Sequence, residues 1–162
     1  IADIATGKNS ILSNTGYLAN TLVLSYKAYS ILKNHADVVD RYKHTSAEAI
    51  TPDLLARLFE VDRIFVMKGV YNSAAEGATA SYAQIGDKDA LLCYVAPQAG
   101  LMTASAGYNF VWTGVGGALG TSSAVSRFRM DHLRSDRLEV ESAWDFKVVA
   151  SPLGYFFSNP VA

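Results

Sequence analysis

Arg137-Leu138-Glu139-Val140-Glu141-Ser142-Ala143-Trp144-Asp145-Phe146-Lys147-Val148 is the most regular stretch in the sequence. Leu138, Val140, Ser142, Trp144, Phe146 and Val148 alternate with Arg137, Glu139, Glu141, Ala143, Asp145 and Lys147. Successive side chains of an extended strand point to opposite faces, so a period of two predicts one largely apolar face and one charged face. Strands usually run about 5–6 residues. One strand sustained over twelve residues must project beyond a compact core or bend around one.

Upstream of it, Arg127, Arg129, Arg134 and Arg137 form the only basic concentration in the chain, interrupted by Asp131 and Asp136. Arginine and acid alternating along extended backbone fit an interface built on charge complementarity. A nucleic-acid stripe, with Phe128 as a stacking residue, is the competing reading. Further upstream, Gly114, Gly116, Gly117 and Gly120 precede Thr121-Ser122-Ser123, which predicts a flexible loop or a close backbone approach. Downstream, Leu153-Gly154-Tyr155-Phe156-Phe157 reads as a short apolar strand.

The first half alternates helix and strand signals. Ile1, Ile4, Ala5, Lys8, Ile11 and Leu12 fall at near-helical spacing over residues 1–14, and Gly16 suits a left-handed stop. Thr21-Leu22-Val23-Leu24 reads as a buried strand, and Ser25 as the cap of a helix from Tyr26. Asp37 to Tyr42 offers Val38, Val39 and Tyr42 as an apolar face. Thr51-Pro52-Asp53 is the clearest helix start: Thr51 accepts a backbone N–H, Pro52 needs no partner in the first turn, and Asp53 suits the helix dipole. Ile64-Phe65-Val66-Met67 reads as a buried strand, Val70-Tyr71-Asn72 as another, and Glu76 to Asp89 as loop. Strands resume at Leu91–Val95 and Tyr108–Thr113.

Composition narrows the class. The 162 residues carry 14 Lys+Arg and 15 Asp+Glu, a net charge of −1, with 50% hydrophobic and 18% charged residues. Disorder needs low hydrophobicity and high net charge, and a surface that attracts nucleic acid everywhere is basic; neither describes this chain. About 25% charged is usual, so apolar surface is in excess here. The longest apolar run, Ala90 to Ala96, falls far short of the ~20 residues of a membrane helix. The single cysteine, Cys93, forms no internal disulfide and reads as a buried small hydrophobe made in a reducing interior. Opening at Ile1 and without a signal core, the chain reads as an internal start, a fragment or a processed product.

Tests for chemistry return little. The glycine cluster has no lysine where a P-loop needs one, and Leu119 stands where a dinucleotide loop needs its third glycine. His35, His44 and His132 make no His-x-x-x-His pair. Asp87-Lys88-Asp89 resembles the start of a calcium loop but lacks the twelfth-position ligand. Glu139 and Glu141 share a strand face, where paired carboxylates more often mark solvent or a partner than acid–base work. No Gly-x-Ser-x-Gly elbow exists. No catalytic, cofactor-binding or metal residue is assigned. An α/β ligand- or nucleotide-binding domain and a nucleic-acid adaptor using the Arg127–Arg137 segment remain as alternatives.

One resemblance spans most of the chain. Asn20-Thr21-Leu22-Val23-Leu24 leads into Tyr29 and Asn34-His35-Ala36-Asp37; Leu54-Leu55-Ala56-Arg57-Leu58-Phe59-Glu60-Val61 and Val70-Tyr71-Asn72-Ser73-Ala74 follow. Then come Leu91-Leu92-Cys93-Tyr94, Ser105-Ala106-Gly107-Tyr108, Arg127-Phe128-Arg129 through Ser135-Asp136-Arg137, Asp145-Phe146-Lys147-Val148-Val149 and Leu153-Gly154-Tyr155-Phe156-Phe157. In this order the segments resemble the C-terminal portion of a tailed-phage or prophage major capsid protein with the HK97-type fold. The weight lies in the ordered series, since shell proteins have no catalytic signature.

The resemblance implies an α+β fold: an axial domain of mixed sheet with flanking helices, plus long peripheral-domain strands. Residues 1–113 would be axial, 114–150 a glycine-rich loop and peripheral strands, and 151–162 a strand returning to the axial domain. The family's N-terminal arm, extended loop and long peripheral helix find no counterpart, and no crosslinking residue is carried over. The implied role is a non-enzymatic shell subunit without cofactors. Its partners would be copies of itself in hexamers and pentamers, with scaffold, portal or decoration proteins. It would enclose DNA without sequence-specific binding, in a virion assembled in the host cytoplasm and involving no membrane. Arg127, Arg129, Arg134, Arg137, Glu139 and Glu141 are the expected intersubunit contacts, and the Gly114–Ser123 loop a capsomer-facing element.

Overall fold

A computed structural model describes residues 2–42, 50–114 and 123–161, and divides into two units, Ile1–Ala106 with Ala150–Ala162, and Gly107–Val149. The first contains α1 (Ala2–Thr15), β1 (Thr21–Ser25), α2 (Tyr26–Lys33), α3 (Ala36–Tyr42), α4 (Pro52–Phe59), β2 (Arg63–Met67), β3 (Val70–Asn72), β4 (Tyr82–Gln84) and β5 (Ala90–Cys93). The second contains β6 (Gly107–Val111), β7 (Ser123–Met130), β8 (Ser135–Ser142) and β9 (Trp144–Val148), and the chain re-enters the first as β10 (Gly154–Phe157). The result is a mixed α+β structure.

The first unit is organised by a four-stranded mixed sheet in the order β10-β5-β1-β2. β1 runs parallel to β2 and antiparallel to β5, and β10 runs antiparallel to β5. Leu22, Leu24 and Leu92 on the central strands pack with Ile11 of α1, Val38 of α3, Leu55 and Phe59 of α4, and Leu153. Each such side chain, removed from water, contributes about 1.5–3 kcal/mol. Ser25 caps α2 by accepting from the Ala28 amide at 3.2 Å, and Thr51 caps α4 by accepting from the Leu54 amide at 3.4 Å. Gly16 ends α1 at φ +76°, a conformation glycine adopts without steric cost. Gly7 lets α1 lie against β10: a Cβ there would stand 2.8 Å from the Phe157 ring.

Two expectations for this unit need correction. The segment 64–67 is half-buried, with Phe65 and Met67 exposed, because β2 is an edge strand with one face against α4 and the other uncovered. The segment 76–89 is not all loop: Tyr82–Gln84 forms β4, antiparallel to β3. Asn72 Oδ1 accepts from the Ala74 and Ser81 amides at 3.1 and 2.9 Å, closing that hairpin without the alternation that marks longer strands.

The second unit consists of two antiparallel ribbons, β6 with β9 and β7 with β8. The twelve-residue strand expected from the alternation is in fact two strands separated by Ala143. Ser142 pairs with Ser123 and Trp144 with Val111, so the chain changes partner at that residue. The Ala143 carbonyl accepts from the Trp112 amide at 3.0 Å, which anchors the change. β6 pairs with β9 and so falls in the second unit, which begins at Gly107. Most of the glycine-rich loop, including Gly116, Gly117 and Gly120, and also His44, lie outside the described residues.

Candidate subunit interface

β7 and β8 form a hairpin because their facing pairs are compatible and a short turn joins them. A 3-10 turn over Asp131–Leu133 passes into Arg134 at φ +49°, a left-handed residue that reverses the chain. Opposed residues share a face in an antiparallel ladder. One face therefore carries Val125, Arg127 and Arg129 opposite Val140, Leu138 and Asp136. The other carries Ala124, Ser126 and Phe128 opposite Glu141, Glu139 and Arg137.

The six expected contact residues are thus brought onto one hairpin but not onto one surface. Arg137, Glu139 and Glu141 share a face, Arg127 and Arg129 occupy the reverse side beside the aliphatic residues, and Arg134 sits at the turn. Several of these charges already meet within the chain. Arg127 Nη2 lies 2.6 Å from Asp136 Oδ2, Arg129 Nη1 3.3 Å from Asp136 Oδ1, and Arg137 Nη2 2.5 Å from Glu139 Oε1. The Arg137 guanidinium also stands 5.5 Å from the Phe128 ring centroid, a cation–π contact worth about 0.5–1 kcal/mol at an exposed site. Exposed ion pairs contribute roughly 0–1 kcal/mol each, so these pairs set the hairpin's geometry more than its stability.

The aliphatic face is left open. Val125, Leu138 and Val140 are 70%, 67% and 71% exposed. On the companion ribbon, Val111, Trp144, Phe146 and Val148 share a face and are exposed too, with the Trp144 and Phe146 rings 4.9 Å apart. A cleft of about 370 Å³ lined by Asn109, Val111, Ser123, Ser142, Trp144 and Phe146 joins the two ribbons on this side. The cleft thus lies between the aliphatic face of one ribbon and the aromatic face of the other. Among the unit's described residues only Ala124 is buried. Two-stranded ribbons are marginal in water alone.

Val125 and Val111 belong to this surface, and their strands escaped sequence analysis as sheet partners. Ser123–Met130 has no clean alternation, and only its position opposite a period-two strand across the Asp131–Arg134 turn identifies it as half of a hairpin.

The first unit offers other concavities. One, about 940 Å³, is lined by Ile31, Leu32 and Val161 with Asp3, Asp37 and Asp40 among its polar residues. Among the described residues, no group of three or more His, Cys, Asp or Glu side chains is placed to hold a metal ion, and no helix is long and apolar enough to cross a membrane. Burial pushes the Cys93 thiol pKa upward. The Lys27 ammonium beside Asp87 lowers that carboxyl, by a hydrogen bond first and by charge second.

No protein-family model matches the sequence. Over 97 residues the chain is 32% identical to the major capsid protein of Burkholderia phage BcepMu, a match taking in 60% of this chain and 30% of that protein. It is also similar to the crystal structure of a phage-related protein from Bordetella bronchiseptica RB50, with a TM-score of 0.81 and 28% identity across 98% of this chain and 50% of that one. The chain thus spans half or less of the length of each relative. The mixed sheet and its helices share the fold of that phage-related protein.

Proposed function

We propose that this chain is part of a shell subunit of a phage or prophage capsid, with the HK97-type arrangement of an axial domain and a peripheral domain. On this reading the four-stranded sheet with α1, α2, α3 and α4 is axial, and the ribbons of residues 107–149 are peripheral. The observation that carries the reading is the uncovered apolar side of those ribbons, in a chain similar to a phage capsid protein. A free monomer has no use for Leu138, Val140, Trp144, Phe146 and Val148 in water, whereas a shell subunit packs them against its neighbours. Burial of apolar area yields about 25 cal/mol per Å², so modest contacts repeated through many copies sum to a stable container. The role is structural and non-enzymatic: hexamers and pentamers of the subunit enclose DNA without reading its sequence, inside a virion assembled in the host cytoplasm. Scaffold, portal or decoration proteins are further partners of such a shell.

Trp144→Asp with Phe146→Asp tests the reading. Sedimentation velocity on the wild-type chain should give concentration-dependent multimers, and the double variant should sediment as a monomer with unchanged helical circular dichroism. A wild-type monomer at every concentration would overturn the proposal.

A further inference from the structure

We infer that the first unit holds a site for a short aliphatic ammonium ion, its carbon chain in an apolar cavity between α1, α2 and β1 and its charged head on Asp3 at the mouth. The inference is independent of the shell-subunit reading.

The cavity, of about 50 Å³, is lined by Ile4 of α1, Leu22 and Leu24 of β1, and Ala28 and Leu32 of α2. Such walls offer a water molecule no hydrogen-bond partner, and an enclosed apolar void takes apolar atoms instead. Asp3, Leu32, Pro160 and Val161 line both this cavity and the cleft of about 940 Å³, so the two concavities meet at these residues. Asp3 and Leu32 are fixed in α1 and α2, whereas Pro160 and Val161 follow β10 in irregular backbone and are the part of the wall that yields to a ligand. Just before them Asn159 is left-handed at φ +49°, and its amide donates to Asp89 Oδ1 at 3.4 Å.

The mouth selects the head group. Asp3 forms no ion pair among the described residues. Beyond it the cleft carries Asp37 and Asp40 against Arg41, with His35 Nδ1 3.8 Å from Asp37 Oδ2. An apolar floor with a few polar groups at one end fixes both the nature and the direction of what it binds. Here the carboxylate excess repels an anion and favours a cation, while the small floor admits only a few carbons. A neutral alcohol lacks the charge, and bare ammonium lacks the tail.

Methyl 1H–13C NMR of the full chain, titrated with methyl-, ethyl-, propyl- and butylammonium chloride, tests the inference. The Leu22 and Leu24 methyl signals should shift saturably, and Kd should fall about fourfold for each methylene that enters the cavity. Butanol, alike in its carbon chain but uncharged, should bind at least roughly tenfold more weakly than butylammonium, and Asp3→Asn should abolish that difference. Leu22 and Leu24 signals that stay in place, a Kd independent of chain length, or butanol binding as tightly as butylammonium each overturn the inference. If Asp3→Asn disturbs α1, the wild-type chain alone still decides. Nuclear Overhauser contacts from the butyl protons to the Leu22 and Leu24 methyls support the site, and saturable shifts without those contacts overturn it.

Discussion

Asn20, immediately before β1, serves the strands on both sides of it. Its side-chain amide donates to the Val95 carbonyl at 2.8 Å and accepts from the Val95 amide at 2.9 Å, while its carbonyl accepts from the Asp62 amide at 2.9 Å. Asn20→Ala leaves the Val95 groups without these partners and should lower unfolding free energy by about 1–3 kcal/mol in urea titration. Lys8 acts on the first unit in a similar way. Its ammonium donates to the Phe59 and Glu60 carbonyls at 3.0 Å each, meeting the negative end of α4. Lys8→Met should cost about 0.5–2 kcal/mol by the same measurement. Cys93 gives a pH-dependent signature. Its folded pKa lies above the unfolded value, so its contribution to stability is full below the ordinary thiol range and lost as pH rises through the raised pKa. Cys93→Ala should remove that alkaline decline, and the native thiol should resist iodoacetamide until the chain unfolds.

Among the elements, α1 is held close to β10 by the absence of a side chain at Gly7. Gly7→Val should destabilise the first unit by about 1–3 kcal/mol despite valine's better helix propensity, because its Cβ meets the Phe157 ring. Differential scanning calorimetry reads that loss as a lower Tm. The elements differ in how far sequence discloses them, and the cause is the range of the forces that make them. Ser25, Thr51 and Gly16 act within a few residues, so the caps of α2 and α4 and the end of α1 follow from local chemistry. The split of the alternating stretch into β8 and β9 depends on whether Ser123 or Val111 lies opposite, a long-range choice that periodicity does not encode. The six charged residues of the hairpin are readable as a group, but their division between two faces requires the register. β2 had the composition of a buried strand and became an edge because no strand lies beyond it among the described residues.

For the whole molecule, the buried core is unequally divided between the two units. The first unit contains the cluster around Leu22, Leu55 and Leu92, and the second exposes most of its apolar residues. A peptide of residues 107–149 should therefore give a coil-like circular dichroism spectrum in water, since two-stranded ribbons with one buried residue among the described residues have too little core to offset chain entropy. Part of the excess of apolar over charged residues in the sequence lies exposed on β6, β7, β8 and β9. On the proposed reading, other copies of the chain cover this side. Negative-stain electron microscopy of the purified protein, over a concentration series, tests it most directly. Rings or closed shells of many copies are expected, and are lost with Trp144→Asp and Phe146→Asp; a field of single particles at every concentration would show that other copies do not cover this side.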